Sequence, residues 1–222
     1  MEDEQRFDLW RDTLGPLKGK VAMSMPLGKL GPSPTTFVVW SQTIKYLETT
    51  IGHVGLPSAW HMPVAMCREL VAEMFVQSPY EYLFCVDSDM AWDPDLIYQL
   101  LLDLVEHPEI KFLSGTARMS MPDEHGNHGS VLVRKNEQGE FERVNTWPAE
   151  LFTIDRIGLF GCIIHRSVYE SISSPWFGHG LDECYPFCDA AREAGIDIWV
   201  DGRCPFGHIG FNLVDGLPEE KK

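Results

Sequence analysis

The sequence predicts a single α/β domain in which helices flank a mostly parallel sheet. The most informative observation is the apolar run 82–86, which ends abruptly in two carboxylates, Asp87 and Asp89. A buried strand excludes charged side chains, so this pair belongs at the carboxyl end of the strand. Helical patterns precede and follow this run, and strands that alternate with helices are typical of a largely parallel sheet.

Hydrophobic periodicity predicts the other elements in chain order. Ser33 and Asp93 are good helix N-caps, since each precedes a proline at a first helical position. The helix 63–75 is predicted to carry one apolar face, formed by Val64, Cys67, Leu70, Val71, Met74 and Phe75. The predicted strands are 20–26, 82–86, 111–115, 157–166 and 196–200, and the predicted helices are 34–49, 63–75, 94–107 and 183–194.

The polar, Gly-containing segment 119–145 predicts a hairpin insertion or lid. Its two short extended pieces, 130–135 and 141–144, flank a turn near Gly139. Long loops inside a compact domain are often functional, although surface decoration fits this segment equally well.

Length and composition agree with one domain of catalytic size. The chain has 222 residues, of which 44% are hydrophobic. We expect the domain to span 20–215, between a peripheral lead-in (1–19) and a polar tail (216–222). No apolar run reaches the ~18 residues that cross a bilayer, and the amino terminus is acidic, so we expect a cytoplasmic protein without a membrane partner. The formal charge of −15 disfavours non-specific binding to nucleic acid or anionic lipid.

Asp87 and Asp89 are candidate metal ligands. Alternate residues of an extended chain point to the same side, so both carboxylates can address one ion. Carboxylate oxygens suit Mg²⁺ or Mn²⁺, which proteins often hold together with substrate phosphates. His208 would complete the site as a neutral imidazole. The alternatives are a solvated acidic turn and a structural histidine.

The six cysteines allow two interpretations. A structural zinc site is one, because a C-x3-C pair precedes a C-x3-H pair, and its ligands would be Cys184, Cys188, Cys204 and His208. We favour reduced thiols, since the first spacing is atypical and Cys188 falls where an amphipathic helix needs an apolar residue.

The order of the motifs closely resembles that of GT-A-type glycosyltransferases, especially the small family-2-like enzymes of bacteriophages and bacteria. The resemblance covers about 20–211. The motifs that carry it are Pro26 after the first strand, Cys67-Arg68, Asp87-Ser88-Asp89-Met90, Gly158-x-x-Gly161, Pro175-Trp176-Phe177, an acidic pair before Phe187-Cys188, Ala194-Gly195, and Gly207-His208-Ile209-Gly210.

This resemblance implies a GT-A-type, Rossmann-like fold and a nucleotide-sugar donor, first of all a UDP-sugar, over the carboxyl ends of the strands. It implies the host cytoplasm if a phage encodes the protein. By the same resemblance Mn²⁺ or Mg²⁺ is the cofactor, with Asp87, Asp89 and His208 as its ligands. The residues that border the donor would be Met25, Pro26, Arg68, Asp87 and Ser88.

The resemblance also implies a general base ahead of the last helix. In inverting relatives an acidic Glu-Asp pair lies four and three residues before the phenylalanine, and here these positions hold Glu183 and Cys184. Either Glu183 or Asp182 then takes the role of base, or the chemistry departs from the inverting pattern. Asp182 could also serve only as the helix N-cap.

Two other functions remain open at this point. A nucleotidyltransferase also uses carboxylate-bound Mg²⁺, with a nucleoside triphosphate as substrate. A non-catalytic nucleotide-sugar-binding or virion-associated module would keep the fold without the base, to which Cys184 in place of the usual aspartate points. The acceptor could be a modified DNA base, a glycan or a protein, although the acidic charge disfavours DNA.

Overall fold

The computed structural model describes residues 3–26, 32–52, 54–55, 59, 62–122, 124–178, 183–209 and 213–214. The helices are α1 (Asp3–Thr13), α2 (Pro34–Ile51), α3 (Val64–Val76), α4 (Pro94–Glu106), α5 (Arg166–Ser171) and α6 (Cys184–Glu193). The strands are β1 (Val21–Ser24), β2 (Tyr82–Val86), β3 (Met90–Ala91), β4 (Phe112–Thr116), β5 (Val133–Lys135), β6 (Phe141–Arg143), β7 (Leu151–Ile154), β8 (Gly161–His165), β9 (Ile198–Pro205), β10 (Gly207–Ile209) and β11 (Leu213–Val214).

Six strands form the central sheet, in the order β1-β2-β8-β4-β9-β7. The strands β1, β2, β4 and β9 run in one direction, while β8 and β7 run antiparallel to their neighbours. The sheet is therefore mixed, although four of its six strands share the expected parallel direction. Sequence cannot give the direction of β8, because a fully buried apolar strand has the same pattern either way.

Helices cover the sheet, with α2 packed against α1 and α4, and α3 against α5. The two predicted N-caps are confirmed: the side chain of Ser33 accepts a hydrogen bond from the Thr36 amide, and that of Asp93 from the Asp95 amide. In the described part of the chain, no helix has the length and apolar character to cross a membrane.

The segment ahead of β1 contributes to the core instead of forming only a peripheral lead-in. Trp10 of α1 stacks on Tyr98 of α4, with ring centroids 4.3 Å apart. Leu14 and Leu17, which follow α1, are also buried. The buried apolar surface of these three residues ties the amino-terminal helix to the domain.

The predicted apolar face of α3 is buried in only half of its members. Val64, Leu70 and Met74 are 41%, 37% and 41% exposed. Cys67, Val71 and Phe75 are buried as predicted, and the buried face also carries Ala65, Ala72 and one charged residue, Arg68. Periodicity does not predict the inward position of Arg68, because it assigns charged side chains to the solvent, whereas this arginine has buried partners.

Phe206, between β9 and β10, fills a space left by two glycines of the sheet. A Cβ on Gly161 would lie 2.8 Å from its ring, and a Cβ on Gly115 would lie 2.5 Å from it. This confirms that a glycine of the predicted strand 157–166 serves the close approach of another element. The anchored ring fixes the start of β10, which pairs antiparallel with β3 and places His208 opposite Met90.

The predicted hairpin is confirmed by the antiparallel pairing of β5 with β6. Gly139 lies in its turn with a φ of 82°, a conformation that favours glycine. Arg156 joins this hairpin to α6, because its guanidinium lies 3.4 Å from the ring centroid of Phe141 and donates to both carboxylate oxygens of Asp189, at 2.7 and 2.6 Å. The hairpin is thus held against the body of the domain.

All six cysteines are buried and carry free thiols. Burial raises the pKa of Cys85 to about 12 and raises the pKa of Cys184 and Cys188 as well. These thiols therefore stay protonated near neutral pH and behave as small apolar side chains.

Two buried carboxyl groups meet between α4 and β9. Arg203 donates to Asp103 Oδ1 at 2.9 Å and, through Nε, to Asp201 Oδ1 at 2.8 Å. Among the described residues, no donor reaches the buried Oδ2 of Asp103. Burial, and after it the hydrogen bond with Asp201, raises the pKa of Asp103 to about 7. A hydrogen bond between two carboxyl groups requires a proton, which the raised pKa keeps on Asp103.

We expect the substitution Asp103→Asn to remove a pH dependence of stability. Folded Asp103 keeps its proton up to about pH 7, whereas the unfolded chain loses it near pH 4, at its ordinary pKa. The folded state binds more protons between these values, so its stability falls as pH rises through this window, by about 4 kcal/mol at most. Urea unfolding of both proteins, at about pH 4.5 and about pH 7.5, measures this difference.

The matched control is Glu106→Gln, since Glu106 is exposed on the same helix. This variant should retain the pH dependence of the wild type. The same dependence in wild type and Asp103→Asn would show that Asp103 does not hold the proton.

Candidate functional site

The guanidinium of Arg68 joins three elements inside the domain. Nη2 donates to Asp87 Oδ1 at 2.6 Å, at the end of β2. Nε donates to Glu183 Oε1 at 3.2 Å, at the start of α6, and Nη1 donates to the Leu159 carbonyl at 3.2 Å, ahead of β8. The side chain of Arg68 is only 4% exposed, so these bonds replace most of its hydration.

The two carboxylates keep this buried guanidinium charged. Burial works to lower the pKa of Arg68, but Asp87 and Glu183 outweigh it and raise that pKa well above its ordinary value. The side chain of Glu183 is 8% exposed and that of Asp87 is 26% exposed. A buried charge needs paired partners, so Arg68 is what allows both carboxylates to lie at this edge of the sheet.

Asp87 and Asp89 both lie directly beyond the carboxyl end of β2. The chain turns there, because the Met90 amide donates to the Asp87 carbonyl at 3.3 Å. Asp87 faces inward to Arg68, whereas Asp89 is exposed. Partial desolvation and the neighbouring Asp87 raise the pKa of Asp89, while His208 works to lower it. A cation at this place would relieve the repulsion between the two carboxylates.

His208 reaches the same edge from the far end of the chain. The pairing of β10 with β3 sets it opposite Met90, and the Ile209 amide donates to the Asp89 carbonyl at 2.7 Å. His208 Nδ1 bonds to the Arg118 carbonyl. A carbonyl can only accept, so Nδ1 carries the proton and the lone pair of the neutral ring lies on Nε2.

Asp89 and His208 lie close together at this edge, whereas Asp87 forms an ion pair with Arg68. Over the ranges that the structure describes, no group of three or more His, Cys, Asp or Glu side chains is arranged to hold a metal ion. The donors present still fit Mn²⁺ or Mg²⁺, because such ions take one or two protein carboxylates and complete their shell with substrate phosphates and water. The lone pair on His208 Nε2 suits Mn²⁺ better than Mg²⁺.

The predicted donor-binding residues lie along the same edge. Met25 and Pro26 are buried and directly follow β1, whose last residue pairs with Cys85 of β2. The Ser88 carbonyl accepts a hydrogen bond from the Ser33 amide at 3.2 Å, which ties the acidic turn to the start of α2. The carboxyl ends of β1 and β2 thus form one continuous rim beside Arg68.

Of the two predicted acids, the structure describes Glu183 only, since Asp182 lies outside the described residues. Glu183 caps α6 by position but makes no capping bond with its side chain. Its Oε1 accepts from Arg68 and, at 3.4 Å, from the Cys184 thiol. Cys184 is therefore a neutral hydrogen-bond donor to the glutamate.

A cavity of about 180 Å³ opens at this cluster, between the end of β2, the start of α6 and the hairpin. Its lining contains both acids and the arginine, and it adds residues that sequence reasoning missed. The added residues are Met119, Val131, Arg143, Leu159 and Tyr185. The prediction of a lid over 119–145 was the only signal for Met119, Val131 and Arg143, because contacts across the fold have no local sequence pattern.

The comparisons with known proteins support the fold and nothing finer. No family model and no curated protein matches the sequence. Among solved structures, the crystal structure of A197 from STIV is similar with a TM-score of 0.57 and 15% identity, over 90% of this chain and 96% of that chain. The chain is thus a single mixed α/β domain, with helices around a central sheet.

We expect the substitution Arg68→Met to destabilise the protein by about 3–5 kcal/mol, because it leaves two carboxylates without their buried counter-charge. Urea unfolding at neutral pH measures the loss. The control is Arg11→Met, whose ion pair with Asp8 is 53% and 66% exposed. Such an exposed pair contributes about 0–1 kcal/mol. Equal losses in the two variants would contradict the role of Arg68.

Proposed function

We propose that this protein is a metal-dependent GT-A-type glycosyltransferase, which moves a sugar from a nucleotide-sugar donor, first of all a UDP-sugar, to a hydroxyl acceptor. One observation carries the proposal: Asp87 and Glu183 line one cavity, and the pairing of β10 with β3 brings His208 to Asp89, two residues beyond Asp87. Metal ligands near a base are what sugar transfer from a diphosphate requires.

The rim residues suit the donor. Met25, Pro26 and Ser88 would border the nucleotide, while Asp89 and His208 would hold Mn²⁺ or Mg²⁺ next to its diphosphate. When bound, such an ion stabilises the negative charge of the departing diphosphate as a Lewis acid. Arg68 serves a different purpose, since its charge is already balanced by Asp87 and Glu183.

Glu183 would act as the general base. It lines the cavity, and Arg68 Nε fixes one of its oxygens. The cavity of about 180 Å³ leaves room for an acceptor group beside this carboxylate. An acceptor hydroxyl in this cavity would give its proton to the glutamate as the new glycosidic bond forms.

The proposal is tested by incubating the protein with a panel of nucleotide sugars, with and without Mn²⁺ or Mg²⁺. We expect slow hydrolysis of one donor and a thermal shift, both dependent on the metal ion. Release of pyrophosphate from a nucleoside triphosphate, with no donor hydrolysis, would instead show a nucleotidyltransferase.

The ion pair between Glu183 and Arg68 favours one alternative. A carboxylate held by a buried arginine and flanked by the Cys184 thiol could be purely structural. The protein would then be a non-catalytic nucleotide-sugar-binding module. Metal-dependent binding of a donor without any hydrolysis or transfer would establish that function.

Substitutions should separate the base from the metal ligands. We expect Glu183→Gln to lower turnover by about 10²–10⁴-fold and to leave the dissociation constant of the donor nearly unchanged. Asp89→Asn and His208→Gln should weaken metal-dependent donor binding as well as turnover, because each removes a ligand. Calorimetric titration and donor hydrolysis provide the two measurements.

The control is Asp12→Asn, since Asp12 is an exposed carboxylate on α1. It should match the wild type in both measurements. Turnover by Glu183→Gln at the wild-type rate would remove Glu183 from the mechanism.

A further inference from the structure

Glu69, which follows Arg68 on α3, binds the segment Ser174–Gly178. Its Oε1 accepts from the Ser174 hydroxyl at 2.9 Å, and its Oε2 accepts from the amides of Trp176 and Phe177 at 3.0 and 3.2 Å. Bonds from neutral donors to a carboxylate are charge-assisted and hence stronger than neutral pairs. Because two of these donors are backbone amides, Glu69 fixes the path of the chain at this segment.

The same segment lies against the start of α6. The ring of Phe177 stacks on Phe187, with centroids 5.0 Å apart. The Gly178 amide donates to the Glu183 carbonyl at 3.0 Å. A Cβ on Gly178 would lie 2.8 Å from Pro186, so the contact is too close for a larger residue. The position of this segment therefore determines the position of the Glu183 backbone.

We propose that Glu69 is a positioning residue, which acts through the segment Ser174–Gly178 to keep Glu183 in place at Arg68. This role rests on the proposed function, in which Glu183 is the base. Two consecutive residues of one rigid helix then hold the same acid from two directions. Arg68 binds the carboxylate of Glu183, and Glu69 sets its backbone through the hydrogen bond to Gly178.

The geometry defines which step Glu69 affects. The metal ligands Asp89 and His208 are held by the pairing of β3 with β10, which does not involve this segment. Donor binding should therefore survive the loss of Glu69. The alignment of Glu183 should be lost with Glu69. A misplacement of about 1 Å at a catalytic group can lower the rate by about 10²-fold.

Amide hydrogen exchange tests the structural half of the proposal without any substrate. In Glu69→Ala we expect faster exchange at Trp176 and Phe177, which lose their acceptor, and also at Gly178, which depends on Glu183. The control is Glu73→Ala, because Glu73 is exposed one turn further along α3. It should leave all three amides as in the wild type. Unchanged exchange at Gly178 in Glu69→Ala would overturn the proposal.

Kinetics test the functional half, with UDP-glucose and Mn²⁺ or with whichever nucleotide sugar the wild type hydrolyses. We expect Glu69→Ala to lower kcat by about 10–10²-fold and to leave KM for the donor within about two-fold. Glu69→Gln should restore part of kcat, since its amide oxygen still accepts. An unchanged kcat, or a matching rise in KM, would overturn the positioning role.

The two proposals fail in distinguishable ways. If the wild type binds and cleaves no nucleotide sugar, the proposed function fails. If the wild type is active but Glu69→Ala equals Glu73→Ala in kcat and in exchange at Gly178, only the role of Glu69 fails.

Discussion

The buried guanidinium of Arg68 is the interaction on which the site depends. It is the counter-charge that lets the acidic end of β2 and the acidic start of α6 share one place at the edge of the sheet. Its third bond, to the Leu159 carbonyl, ties the same place to the chain that enters β8. Without this cation, two poorly hydrated carboxylates would repel each other and the elements that carry them.

The exposed part of the site depends on a different interaction, the packing of Phe206 against the sheet. Phe206 packs over Gly115 and Gly161, and the strand that follows it, β10, pairs with β3. This pairing brings His208 to Asp89 from a distant part of the sequence. The Arg118 carbonyl then fixes the ring, which leaves Nε2 for a ligand. Arg68 thus organises the interior of the site, whereas Phe206 organises its exposed rim.

Sequence reasoning could predict those features that have a local cause. The N-caps Ser33 and Asp93, the turn at Gly139 and the acidic end of β2 all follow from rules that act over a few residues, and the structure has each of them. The packing of α1 through Trp10 had no such signal, and neither did the direction of β8. Both depend on contacts between elements that are far apart in the chain.

The acidic residues of the candidate site could be predicted from the sequence, but the contacts that hold them could not. The acids at positions 87, 89 and 183 were identified as chemically important, and all three lie close to Arg68 or to His208. The inward turn of Arg68 could not be predicted, because helical periodicity assigns a charge to the solvent side. The hydrogen bonds that Glu69 accepts from a segment more than a hundred residues away could not be predicted either. Buried polar contacts of this kind are specified by complementary partners and not by spacing.

The most direct test of the account is anomalous diffraction from crystals grown with Mn²⁺ and a nucleoside diphosphate. The account predicts one manganese peak at about 2.0–2.3 Å from a carboxylate oxygen of Asp89 and from Nε2 of His208, with the diphosphate on its open side. Arg68 should still bind Asp87 and Glu183 in that crystal. A peak at another place, or a diphosphate bound away from this rim, would contradict the account.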